Sequence, residues 1–105
     1  MNSVTVQELK TMMDNKEDFQ LIDVREQNEF DFVNMKGELI PLSVIAENVD
    51  KFKRDKKVIV HCRSGARSAN VIALLQAQHG YDNLYNLTGG ILAWAKEIDP
   101  TLPTY

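Results

Sequence analysis

The clearest pattern in the chain is the alternation of short apolar runs with longer stretches of helical spacing. "TVQELKTMMD" opens with Thr5 and carries Glu8 three residues later. That pairing is a capping box and predicts a first helix from about Val6 to Asp14. "FQLIDV" at 19–24 is a compact apolar run ending at Asp23, suited to a buried strand. "EQNEFDFV" predicts a short helix, Gly37 a turn, and "ELIPL" a short extended piece whose pairing Pro41 limits. "SVIAENVDKF" is spaced as a helix with Ser43 as its N-cap. "KKVIVHC" at 56–62, β-branched at its centre, is the clearest strand. "RSANVIALLQAQHG" at 67–80 is the clearest helix, its apolar face drawn through Ala69, Val71, Leu74 and Leu75 and its stop at Gly80. "NLYNL" predicts a last strand, and "GGILAWAKEI" a last helix ended by Pro100.

Strands separated by helices predict an α/β fold: a mostly parallel central sheet with helices on both faces. No repeat, low-complexity tract or linker interrupts the 105 residues, so a single domain over 1–105 is expected. Sites in such sheets form where strands end and helices begin. Two segments lie at such ends, "DVRE" and "HCRSGARS".

Composition narrows the chemistry. The apolar fraction of 44% and charged fraction of 26% are ordinary for a globular domain. A net charge of −3 disfavours nucleic acid as a partner. No run is apolar and long enough for a bilayer, and the N-terminal residues lack a signal-peptide pattern, so a cytoplasmic setting is expected. One cysteine and two histidines form no internal disulfide and make a poor zinc set. The basic run "KFKRDKK" reads as a solvated loop before a strand.

The single cysteine, Cys62, stands at the end of the strongest strand and just before the strongest helix. A thiolate is the reactive form of cysteine. Gly65 lets the amides of Arg63 to Arg67 curl toward the sulfur, and the helix that follows points its positive end there. Arg63 and Arg67 add positive charge and suit an anionic substrate. Cys62 is therefore the expected nucleophile, with Arg63, Ser64, Gly65, Ala66 and Arg67 as the substrate-binding loop. Four residues separate Cys62 from Arg67. Cysteine-based phosphatases have one residue more in that interval, so the smaller ring favours sulfur transfer over phosphoryl transfer. Asp23 and Arg25, with Ser68, are assigned to structural support, as a hydrogen-bonded clamp at the strand end. His61 alternates with Cys62 and points to the other face, Trp94 packs the core, and Gly89–Gly90 turn the chain into the last helix.

Three motifs in order resemble the rhodanese family of sulfurtransferases, specifically its single-domain members. They are "LIDVREQNEF" at 21–30, "HCRSGARS" at 61–68 and "NLTGGILAW" at 86–94. The resemblance implies that Cys62 takes a sulfane sulfur from a donor such as thiosulfate and holds it as a persulfide. An acceptor (cyanide, a thiol or a sulfur-accepting protein) then collects it. It implies no cofactor and no metal. The same residues leave a second function open, a persulfide carrier or docking module served by a protein partner. The chain departs from the family between Asn34 and Leu42, where Asn34 replaces the usual histidine; the resemblance therefore leaves acceptor choice open but not the core chemistry.

Overall fold

The computed structural model describes residues 1–105. Its elements are β1 (Asn2–Val4), α1 (Val6–Asp14), β2 (Phe19–Asp23), α2 (Gln27–Phe32), β3 (Glu38–Leu39), β4 (Lys57–His61), α3 (Ala66–His79), β5 (Leu84–Leu87) and α4 (Gly90–Glu97). All five strands are parallel, in the order β1-β5-β4-β2-β3. No helix is long and apolar enough to cross a membrane.

Parallel strands need crossover helices, and these cover both faces of the sheet. Val58 and Val60 of β4, with Ile22 of β2 and Val24 just beyond it, face Val71, Ile72 and Leu75 of α3. Ile59 points the other way, into a core with Val6, Leu9 and Met12 of α1 and Trp94 of α4. This explains why β4 reads as an unbroken apolar run: neither of its faces meets water. α1 starts as its sequence requires. The Glu8 amide donates to Thr5 Oγ1 at 3.1 Å, and the Thr5 amide to Glu8 Oε1 at 2.9 Å.

Three details differ from the expectations. β1 was not expected; it is a three-residue edge strand of little apolar character, paired with β5 over Asn2–Tyr85, Ser3–Asn86 and Val4–Leu87. "SVIAENVDKF" forms two 3₁₀ segments, Leu42–Glu47 and Val49–Lys51, the first kinked by the non-helical backbone of Val44. Ser43 is therefore no N-cap; Pro41 precedes the first segment, and the Ser43 hydroxyl donates to Glu26 Oε1 at 2.7 Å. Tertiary anchors override helical spacing here, because Phe52 is buried and Tyr81 donates its hydroxyl to the Phe52 carbonyl at 2.7 Å. Leu74, placed on the buried face of α3 by its spacing, is 39% exposed; Ile72 takes that place. The basic run is a loop, as read, although Phe52 inside it belongs to the core.

The start of α4 does more than turn the chain. Its Ile91 amide donates to the Cys62 carbonyl at 3.0 Å, and its Leu92 amide to the Arg63 carbonyl at 3.1 Å. The backbones approach so closely at Gly90 that an added Cβ would lie 2.5 Å from the Arg63 oxygen and 2.6 Å from the Cys62 oxygen. Gly90 also has φ +58°, in the left-handed region. Gly90→Ala is expected to lower unfolding stability by about 3 kcal/mol, through overpacking and backbone strain together. Urea denaturation of the two proteins measures this, and an unchanged midpoint would contradict the close approach.

Candidate active site

Cys62 follows β4 directly, and α3 begins four residues later at Ala66. Gly65 has φ +111°, which reverses the chain between the strand and the helix. The reversal aims the Gly65 amide at Cys62 Sγ, 3.1 Å away. The Ser68 hydroxyl lies 3.4 Å from the same sulfur. That hydroxyl has one proton and two further acceptors, Asn86 Oδ1 at 2.6 Å and the Gly65 carbonyl at 3.2 Å, so rotation about its C–O bond chooses among them. Asn86 in turn donates through Nδ2 to the Gly65 carbonyl at 3.1 Å, fixing the loop to β5.

Burial pushes the Cys62 thiol up, since the residue is only 1% exposed. Hydrogen bonds from the Ser68 hydroxyl and from the amides of Ser68, Gly65 and Ser64 outweigh it and bring the thiol below its ordinary value. The arrangement favours a thiolate without a neighbouring base. His61 supplies none: its ring is fully buried, burial pushes it below its ordinary value, and Nδ1 sits 3.2 Å from the Cys62 carbonyl. Its Nε2 has no hydrogen-bond partner and lies 3.7 Å from Asp23 Oδ2.

The two loop arginines are both engaged. Arg67 makes a two-pronged pair with Glu29 of α2, Nη1 to Oε1 at 2.7 Å and Nη2 to Oε2 at 2.8 Å. Arg63 donates through Nε to the main-chain oxygen of Tyr105 at 2.6 Å, and through Nη2 to the same oxygen. Ser64 and Ala66 are exposed at the loop's surface. Asp23 and Arg25, both fully buried, form a fork-to-fork pair with Arg25 Nη2 2.8 Å from Asp23 Oδ2. Arg25 reaches on to the Val33 carbonyl at 2.7 Å and to the Tyr105 hydroxyl at 3.0 Å. The pair thus fastens the end of β2 to the end of α2 and to the C-terminal segment. It reaches the cysteine loop by two routes, through Glu29 to Arg67 and through Tyr105 to Arg63.

Glu29, Asn86 and Tyr105 are parts of the site that the motif reading did not include. A hint for Glu29 lay in its place within "DVREQNEF", and one for Asn86 in a polar residue inside a core strand; Tyr105 gave no local signal. Asn34, at the departure from the family pattern, makes a turn: its Nδ2 donates to the Phe30 carbonyl at 3.1 Å, and its Oδ1 accepts from the Lys36 amide at 2.9 Å. A cavity of about 190 Å³ lies beside that turn, lined by Asn34, Met35, Lys36, Trp94, Asp99 and Leu102. None of these residues belongs to the cysteine loop. No cluster of potential metal ligands is present.

The Arg67 pair and the Tyr105 hydroxyl hold the Glu29 carboxyl down to about 2, against an ordinary 4.5. The folded state therefore binds the Glu29 proton less readily than the unfolded chain. Its stabilisation is complete above pH 4.5 and is lost as pH falls from there toward 2. His61, held neutral, lowers stability below its ordinary 6.5 by the same linkage, with or without Glu29. Glu29→Gln should be less stable than wild type at pH 7 and should lose less between pH 4.5 and pH 2. Urea midpoints at these pH values test it, and parallel acid limbs for the two proteins would contradict the assignment.

The rhodanese-like domain family matches residues 5–97 of this chain. A sulfurtransferase of Allochromatium vinosum is 34% identical over 97 residues, covering 91% of this chain and 90% of that protein. MoeZ of Mycobacterium tuberculosis is 36% identical over 107 residues, and the chain spans only 27% of that protein's length. The crystal structure of a rhodanese-like domain protein from Staphylococcus aureus superposes with a TM-score of 0.83 at 32% identity, covering 100% of this chain and 99% of that one. Fold, motif order and match length agree, and the chain belongs to the rhodanese-like domain family.

Proposed function

We propose that this chain is a sulfurtransferase that carries sulfane sulfur as a persulfide on Cys62. The observation that carries the reading is the sulfur itself, held among inward-facing amides at the N-terminus of α3 with its thiol below the ordinary value. Such a thiolate attacks the outer sulfur of a donor such as thiosulfate. The donor's S–S bond breaks, sulfite leaves with the bonding pair, and the new S–S bond forms on Cys62. An acceptor thiolate or cyanide then attacks the outer sulfur of the persulfide and returns the Cys62 thiolate. One nucleophile serves both halves of this cycle. The loop amides stabilise first the thiolate and then the persulfide anion, and no cofactor enters. The Allochromatium protein, similar over nine-tenths of both chains, supports the reading by its name.

A second reading, a carrier loaded by a partner protein, is favoured by one observation. Cys62 is 1% exposed, so a small donor meets a nearly closed surface while a docked partner can open it. The length comparison with MoeZ is compatible with it, since the matching region is there one part of a longer protein.

Cys62→Ser keeps the volume of the side chain but cannot form a persulfide. The variant should fold as wild type does and take up no sulfur. Intact mass after incubation with thiosulfate should show one added sulfur on wild type, removed by cyanide, and none on the variant. Alkylation of wild-type Cys62 against pH should turn below about 8.5, the free-cysteine value. Sulfur uptake by the serine variant would overturn the reading.

A further inference from the structure

Both cations of the cysteine loop face oxygens that the protein itself supplies. Glu29 takes Arg67 through both carboxylate oxygens. The main-chain oxygen of Tyr105 takes Arg63 through two nitrogens. The segment that brings Tyr105 there is anchored at Leu102 and at Tyr105 itself. Thr101 caps a turn on Asp99 Oδ1 through its amide at 3.2 Å, and the Leu102 side chain packs on the core beside Trp94. Tyr105 is then pinned by four further contacts. Its hydroxyl donates to Glu29 Oε2 at 2.6 Å and accepts from Arg25 Nη1 at 3.0 Å. Its ring meets Phe32 edge-on at 6.0 Å. The Arg63 guanidinium lies 5.1 Å from the centre of the same ring.

These contacts bear on which donors the loop can hold. A donor headed by a sulfonate, such as thiosulfate, draws binding from paired N–H bonds to guanidinium groups. Here those bonds are already made, so the donor exchanges one set of charge-assisted bonds for another and gains little net affinity. A thiol persulfide, R–S–SH, has no oxyanion next to its sulfane sulfur and makes no demand on Arg63. Cys62 thiolate attacks its outer sulfur, the donor S–S bond breaks, R–S⁻ leaves with the electron pair, and the outer sulfur arrives on Cys62 with its proton. Atoms and charge balance without an oxidant or reductant.

We propose that Tyr105 is a specificity-determining residue: by holding Arg63 on its main-chain oxygen, the segment Thr101–Tyr105 disfavours sulfonate-headed donors and leaves thiol persulfides as the preferred substrate class. The inference rests on the sulfurtransferase reading and narrows it. Tyr105 touches neither Sγ nor the transferred sulfur; it acts through Arg63.

The test uses the full chain with Tyr105→Ala and Tyr105→Phe. The first variant loses every side-chain anchor, and the second keeps the ring and loses only the hydroxyl. Loading of Cys62 is followed with thiosulfate and with cysteine persulfide. Releasing one charge-assisted interaction should raise the ratio of kcat/KM for thiosulfate over persulfide about tenfold in Tyr105→Ala, mainly through the KM for thiosulfate. Tyr105→Phe should fall between the two, and it carries the test alone if the alanine variant unfolds. A second readout needs no sulfur transfer. Alkylation of Cys62 by anionic iodoacetate should rise relative to neutral iodoacetamide in the same order. Sulfur uptake from both donors with both ratios unmoved overturns the role of Tyr105 alone. A wild-type chain that takes sulfur from neither donor overturns the sulfurtransferase reading and the donor preference with it.

Discussion

The site depends on where the carbonyls of Cys62 and Arg63 go. A loop whose amides face a sulfur must turn its carbonyls elsewhere, and buried carbonyls need donors. The first amides of α4, which a helix leaves without internal partners, meet that need. One helix end thus anchors the outward side of the loop while the end of another, α3, faces its inward side. Both arrangements require glycine, at one place for a close backbone contact and at the other for a left-handed backbone. Gly90 allows α4 to reach the strand end, and Gly65 allows the loop to reverse over the sulfur. Neither glycine touches the sulfur through a side chain, yet the amide geometry around it follows from both.

A second layer of constraint is electrostatic. Asp23 and Arg25 are buried together, an arrangement that is tolerated only when the remaining N–H groups are satisfied as well. Val33 and Tyr105 satisfy them, so the pair acts as a knot joining β2, α2 and the C-terminal segment. Burial works against the Arg25 charge, but the bonds to Asp23 and Tyr105 outweigh it and hold the guanidinium above its ordinary value. α2 starts immediately after this knot, which places Glu29 opposite Arg67. The charge of the cysteine loop is therefore set by residues on another element, not by the loop alone.

Much of this was legible locally. β4 and α3 are long, strongly patterned and buried by the contacts their own periodicity calls for, so strand, loop and helix around Cys62 could be read in order. The capping box at Thr5 and Glu8 forms between near neighbours and needs no tertiary context. β1 escaped notice because three residues on a sheet edge carry no period. The 3₁₀ segments escaped because Phe52 and the Tyr81 hydroxyl, contributed by distant parts of the chain, decide their backbone. The partners of the loop were hidden for the same reason. Arg67 meets a residue 38 positions away, Arg63 one 42 positions away, and Ser68 one 18 positions away. From sequence the arginines look like free cations awaiting an anion; in the structure Arg67 already has a carboxylate and Arg63 a main-chain oxygen.

That difference changes how reactivity and protection are balanced. An exposed thiolate between two free guanidinium groups would draw any small anion from solution, including oxidants, and a low thiol pKa alone cannot discriminate among them. Here Cys62 is nearly sealed, and the groups that lower its pKa are hydrogen-bond donors of Ser68, Gly65 and Ser64 beside it. Such donors keep their effect when a substrate moves the arginines, because they are fixed by Gly65, Asn86 and α4. The outer sulfur of a persulfide extends farther from the backbone than Sγ does, and it carries the charge to be stabilised. On the proposed reading the rigid part of the site holds the sulfur in either state, while the arginines, engaged by Glu29 and Tyr105, bear on what delivers it.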